Sequence, residues 1–336
     1  MTISTAPDRQ PETAAELHAA TPAATNPRGR RARPRPSAKR VGTIALFLAP
    51  ALVLFLLLVI VPILVAGYTS MFKWNGFNLP ENYVGFDNFV RAFKDPTFLG
   101  DLRRGLILIV LSVGIQLPVS LALAMLLNQP IKGRAVYRLV FFAPYVLSEV
   151  TTAVLFTLVF SPNRGLGTTF FSWLSSEESG GALFADPNTV LYALFFVISW
   201  KYFGFHMILY LAARQGIPRE LTEAATTDGA SAWQNFRHVT LPLLGPTIRV
   251  SIFLSVIGTI QLFDMVWVLT GGGPIHSSET LAVTMFQYGF RRFEVGYASA
   301  ISIVMFLLSL VFALFYQRFV LRRDVEGALT TRGVQR

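Results

Sequence analysis

Apolar residues in this chain come in long unbroken runs separated by polar clusters, with neither a two-residue nor a three-and-a-half-residue alternation. Six runs reach the ~20 residues that a helix rising about 1.5 Å per residue needs to cross roughly 30 Å of hydrocarbon. They cover residues 44–66, 106–127, 139–160, 190–213, 247–269 and 297–320. The predicted fold is an all-α integral membrane protein with six transmembrane helices. Pro50, Pro62, Pro118, Pro144 and Gly258 fall inside the runs, where neighbouring helices can satisfy the carbonyls they free.

The polar segments set the orientation. With the N-terminus in the cytoplasm, nineteen lysines and arginines lie inside and eight outside, while Lys201 and Arg249 fall within spans. That asymmetry predicts cytoplasmic N- and C-termini. Residues 1–41, rich in Ala, Pro, Thr and Arg and without an apolar face, read as a disordered basic tail. Its cluster Arg28, Arg30, Arg31, Arg33, Arg35, Lys39 and Arg40 suits anionic lipid better than nucleic acid, since no folded basic module accompanies it. The six-helix domain is expected over 42–322, followed by a short cytoplasmic tail, 323–336. The net charge of +10 is then mostly a topology signal.

One cytoplasmic segment, 214–242, has more internal order than the rest. Pro218 suits a first helical position, and Glu220 and Glu223 sit near the positive end of the helix dipole. Ala224 and Ala225 keep one face narrow, and Gly229 after Asp228 is a helix stop and turn. Trp233 and Phe236 share a face of the next helix. Val239, Leu241 and Pro242 lead into the fifth apolar run.

Several chemistries are missing. There is no Gly-Lys-Ser/Thr, no His-Glu-x-x-His and no Gly-x-Ser-x-Gly, so neither a phosphate-binding loop nor a hydrolase motif is present. The chain is read as no enzyme and as carrying no cofactor of its own. Cysteine is absent, which removes disulfides and thiolate metal sites. The four histidines are scattered over tail, span and loops, which disfavours a metal site.

The spacing Glu223-Ala224-Ala225, three residues, Gly229, nine residues, then Val239-Thr240-Leu241-Pro242 resembles the loop by which the permease of an ATP-binding-cassette (ABC) importer grips its ATPase. Further segments add to the likeness. They are Tyr83 to Phe89, Phe141 to Tyr145, Trp200 to Phe205, Leu269 to Pro274 and Gly296 to Ala300. Together they are similar to the carbohydrate branch of the binding-protein-dependent importers, over about residues 42–322. The resemblance implies the type I ABC importer permease fold in a bacterial cell membrane. It also implies a second permease subunit, two ATPase subunits that bind ATP and magnesium, and an extracytoplasmic solute-binding protein. Glu223, Ala224, Ala225, Asp228, Gly229, Val239, Leu241 and Pro242 would then couple the chain to the ATPase, and solute would move by alternating access. A secondary carrier would not need that loop, and the six runs show no clear internal repeat.

Polar side chains inside apolar runs are costly unless they face the bundle interior or a wet cavity. Glu149, Lys201, Gln261 and Asp264 are of this kind, and rise per residue puts them near mid-membrane depth. Gln261 and Asp264 are expected on one helical face. Glu149 and Lys201 read either as a structural ion pair or, with Tyr202, Phe205, Gln261 and Asp264, as the lining of a sugar site.

Overall fold

The computed structural model describes residues 38–161, 165 and 183–321. Residues 1–37 and 322–336, which hold most of the two expected tails, lie outside them. The chain divides into two compact units, Met1–Phe55 and Leu56–Arg336. In the first, the described part is helix α1, Ala38–Phe55, which starts four residues ahead of the domain boundary expected at 42. Its apolar side chains, Leu46, Phe47 and Leu54 among them, are exposed, as suits a helix surrounded by lipid.

Among its described residues, the regular secondary structure of the second unit is helical, apart from one antiparallel bridge between Phe72 and Tyr83. In chain order its helices are α2 Val61–Thr69, α3 Asp87–Ala92, α4 Pro96–Leu111, α5 Leu117–Leu127, α6 Arg134–Val146, α7 Glu149–Val159 and α8 Val190–Gln215. There follow α9 Arg219–Thr227, α10 Ala232–Asn235, α11 Leu241–Leu243, α12 Gly245–Ile260, α13 Asp264–Leu269, α14 Leu281–Phe286 and α15 Val295–Tyr316.

Proline has no N–H, and its ring meets the carbonyl four residues back. One-turn π segments at Leu56–Ile60, Ser112–Gln116 and Phe236–Thr240 directly precede the turns carrying Pro62, Pro118 and Pro242. The wider turn accommodates the ring and lets the helical path continue. Four stretches are thereby long and apolar enough to cross a membrane: Thr43–Thr69, Pro96–Leu127, Val190–Gln215 and Val295–Leu321.

Two of the six expected spans are not straight. The run 139–160 breaks between α6 and α7 with a bend of 100°. Pro144 lies in the last turn of α6, Leu147 is extended, and Ser148 caps α7 by accepting from the Thr151 N–H at 3.0 Å. The run 247–269 stops at Ile260 and restarts at Asp264, and α12 also meets the preceding Ala232–Leu243 helix at 65°. With each bent pair counted as one span, the described residues contain up to six.

Backbone groups freed inside hydrocarbon must find protein partners. At the first break Lys201 Nζ donates to the carbonyl of Tyr145 at 3.4 Å and, more closely, to that of Leu147. At the second, the Thr280 hydroxyl donates to the Leu262 carbonyl at 2.7 Å. Packing between helices fixes the remainder. Helices α5 and α6 lie on α8, α7 on α13, and α15 on α2. At the α6/α8 crossing Gly204 brings the two backbones together, since a Cβ there would stand 1.9 Å from the Phe141 carbonyl oxygen. Leu108, Phe156, Leu194, Met265 and Val283 form a buried cluster that joins α4, α7, α8, α13 and α14. Lipid is as apolar as these side chains, so close van der Waals packing and not exclusion from water holds them.

Candidate functional site

Two places in the second unit carry the residues singled out from the sequence. The first is the 214–242 segment. Helix α9 begins at Arg219, with Pro218 as its N-cap one position earlier than expected. The stop after Asp228 is a Schellman turn: Ala230 N–H donates to Ala225 O at 2.9 Å and Gly229 N–H to Thr226 O at 3.0 Å, with Gly229 at φ +84°. A capping box then starts α10. Gln234 N–H donates to Ser231 Oγ at 3.3 Å, and Ser231 N–H donates to Gln234 Oε1 at 2.7 Å. Asn235 Nδ2 donates to Thr222 O at 2.9 Å and ties α10 back onto α9. Trp233 and Phe236 do share a face, with ring centroids 5.4 Å apart.

None of α9 is buried. Glu223, Ala224, Asp228, Gly229 and Pro242 are exposed, while Ala225, Val239 and Leu241 are half-buried. The outcome is a helix of fixed length and fixed exit that presents most of its surface outward.

The second place is a cavity of about 270 Å³ between α4, α7, α8, α12 and α13. Glu149, Tyr202, Gln261 and Asp264 line it. The two helix breaks lie at its border and explain why these four meet. Glu149 is the first residue of α7, Gln261 caps α12, and Asp264 opens α13. The expected shared helical face of Gln261 and Asp264 is therefore not how they come together, because the helical period is interrupted between them.

Two other expectations are corrected. Glu149 and Lys201 form no ion pair; the pairs among the described residues are Arg91 with Glu294, Arg104 with Asp101 and His276 with Glu279. Lys201 instead holds the two carbonyls at the first break, and Glu149 Oε1 accepts a short hydrogen bond from the Tyr202 hydroxyl. Neither Lys201 nor Phe205 lines the cavity. Lys201 is 3% exposed, and Phe205 stacks on Tyr145 with centroids 4.8 Å apart. Sequence reasoning also missed Ser112, Gln116, His206 and Ser255, which line the cavity as further polar groups. The signal for Gln116 was available: it is an amide inside an apolar run, and its Oε1 accepts from Ser112 Oγ at 2.9 Å.

The family profile described as "Binding-protein-dependent transport system inner membrane component" matches residues 114–325, which include the loop and nearly all of the cavity. The chain belongs to that family. It is thus a multi-pass membrane permease component. Among curated relatives, the lactose transport system permease protein of Rhizobium radiobacter is 35% identical over 267 residues, covering 78% of this chain and 89% of the relative. The sulfoquinovosyl glycerol transport system permease protein of Agrobacterium fabrum is 34% identical over 280 residues, covering 83% and 90%. The diacetylchitobiose uptake system permease protein of Streptomyces coelicolor is 31% identical over 296 residues, covering 85% and 84%. In three dimensions the chain is similar to a chain of a bacterial ABC transporter involved in import of the acidic polysaccharide alginate, with a TM-score of 0.74 and 26% identity. That match covers 85% of this chain and 96% of the other.

Two of the segments that carry the resemblance find a structural role. Asn88 Nδ2 donates to the carbonyls of Ser70 and Phe72 at 2.8 and 2.9 Å, and Gly296 N–H donates to Trp74 O at 3.0 Å. Arg91 lies 4.1 Å over the Tyr297 ring and pairs with Glu294. Asp95 caps α4 through the Thr97 N–H at 2.9 Å and accepts from the Tyr297 and Tyr288 hydroxyls at 3.0 and 3.2 Å. Burial alone would raise its pKa, but these hydrogen bonds outweigh it and hold the carboxyl below its usual range. The motifs Tyr83 to Phe89 and Gly296 to Ala300 thus belong to one clip between α3, α4 and α15.

Proposed function

We propose that this chain is one of two permease halves of a sugar importer, with six spans, both termini in the cytoplasm, and solute passing through the α4/α7/α8/α12/α13 cavity. Curated relatives named for lactose, diacetylchitobiose and sulfoquinovosyl glycerol favour a sugar-like solute. An extracytoplasmic binding protein delivers it, in keeping with a structural neighbour determined in complex with its periplasmic protein. The exposed α9 docks into an ATPase subunit. Glu223 faces polar or basic groups there, Ala224 and Ala225 enter the groove, and Gly229 fixes the turn. ATP and magnesium are bound by that partner.

The observation that carries the reading is the cavity itself. Two broken helices end on it, so hydrogen-bonding side chains and helix ends meet at depth in an otherwise apolar bundle, the arrangement by which transporters build solute sites. Carboxylate and amide groups can bind hydroxyls, while Tyr202, Phe195 and Phe263 cover apolar ring faces.

The test is uptake by cells carrying the complete importer. Gln261→Ala and Tyr202→Ala should each lower uptake or change solute preference, while ATP hydrolysis stimulated by the binding protein stays close to that of the parent. Unchanged uptake in both variants would remove the cavity from the pathway.

A further inference from the structure

The cavity holds two carboxylates, Glu149 and Asp264, and no lysine or arginine lines it among the described residues. The cation nearest in sequence, Lys201, is committed elsewhere. Its ammonium group donates to the Tyr145 and Leu147 carbonyls at the α6/α7 break and is 3% exposed. It cannot leave those carbonyls without orphaning backbone acceptors inside the membrane, so it is a structural clamp and not a ligand for a passing anion. The remaining polar lining is Gln116, Gln261, Ser112, Ser255 and Thr259, with Tyr202 and the buried imidazole of His206.

Carboxylates accept hydrogen bonds from hydroxyls and repel other anions, and between packed helices that repulsion is screened less than in bulk water. Arginine and lysine are the side chains that recognise carboxylate, phosphate or sulfate groups, and the lining offers neither. At about 270 Å³ the space falls just below the ~300–1,000 Å³ of pockets that enclose drug-sized ligands. It therefore suits one ring at a time.

We propose that this chain's cavity selects for uncharged sugar rings and discriminates against rings carrying a carboxylate, phosphate or sulfate. Glu149 and Asp264 enforce the selection, and the removal of Lys201 to the helix break makes it possible. The proposal rests on the cavity being the solute site and adds the charge class of the solute.

The experiment uses the purified complete importer without its binding protein, so that the permease alone chooses. Saturation-transfer NMR at neutral pH compares matched pairs: methyl glucoside with methyl glucuronide, methyl galactoside with methyl galacturonide, and N-acetylglucosamine with its 6-phosphate. The neutral member of each pair should bind at least tenfold more tightly, a difference of about 1.4 kcal/mol. The double variant Glu149→Gln with Asp264→Asn should bring that ratio to within about threefold. Gln261→Lys, at an exposed lining position, should do the same by adding a cation, and it guards against a folding defect in the double variant. Equal or tighter binding of the anionic members by the parent would overturn the charge selection and leave the sugar site standing. So would a ratio that neither variant changes, which would assign the discrimination to the other subunits. No saturable binding of any pair would remove both the selection and the site beneath it.

Discussion

Replacing Gly204 by alanine adds one methyl group at the tightest contact between α6 and α8. The new Cβ would stand 1.9 Å from the Phe141 carbonyl oxygen, 2.7 Å from its carbon and 3.1 Å from Phe142 Cα. All three atoms are backbone, so no rotamer change relieves the clash. Reaching 3.4 Å, the near edge of ordinary contact, requires the two helices to part by up to about 1.5 Å. Overpacking of this kind costs roughly 1–3 kcal/mol. Lys201 lies three residues away on the same face, so parting also stretches its hydrogen bonds to Tyr145 and Leu147, and bonds to a charged group contribute about 1.5–3 kcal/mol each. At roughly 2–4 °C per kcal/mol, the purified protein should melt about 3–10 °C lower. Uptake should fall although Gly204 does not line the cavity, because Tyr202 and Glu149 are positioned by the two helices it joins. Gly258→Ala is the control: it lies at the cavity, its added methyl meets nothing within 4 Å, and the melting temperature should not move. A Gly204→Ala protein with the parent's melting temperature and uptake would refute the argument that this close approach sets the cavity.

Two further perturbations test the loop and the clip between α3, α4 and α15. Gly229 has open space around it but a left-handed backbone, so Gly229→Val should cost about 1–2 kcal/mol through conformation alone and lower the population of the stopped loop roughly five- to thirtyfold. Gly229→Asn, which tolerates that conformation, should retain it, and equal yields of co-purifying ATPase from the two variants would refute the turn's importance. Asp95→Ala removes a helix cap and leaves two tyrosine hydroxyls without their acceptor, at about 1–3 kcal/mol. Because the folded carboxyl is held below its usual value, its contribution is fully present above about pH 4 and is lost as pH falls through the lower folded value. The melting difference between parent and Asp95→Ala should therefore be constant from pH 5 to 8 and shrink below about pH 4.

Run length made the membrane class and the long apolar helices legible, because hydrocarbon thickness constrains every crossing helix in the same way. The loop was legible for another reason. Its stop depends on local turn chemistry at Asp228, Gly229 and Ser231, which neighbouring residues specify without help from the bundle. The breaks at 147–148 and 261–263 were not read, since apolar composition continues straight through them. Yet the first carried a signal. Ser148 followed by Glu149 in the middle of an apolar run, four residues after Pro144, is a helix start and not a helix interior.

Without those breaks the acceptors that Lys201 takes did not enter either reading of it, as ion-pair partner of Glu149 or as cavity lining. In an unbroken helix every carbonyl is already bonded, so a buried lysine next to a buried glutamate on a facing helix has no better acceptor. Once the helix breaks, two carbonyls become free at the same depth, and Lys201 satisfies both while Tyr202 takes the glutamate. The polar residues of the apolar runs thus divide into two sets. Lys201, helped by Thr280 from outside the runs, repairs the backbone that the breaks expose, and Glu149, Gln261 and Asp264, placed at the broken ends, line the cavity. Spacing along the sequence cannot make that division, because it depends on which carbonyls the three-dimensional path leaves unpaired.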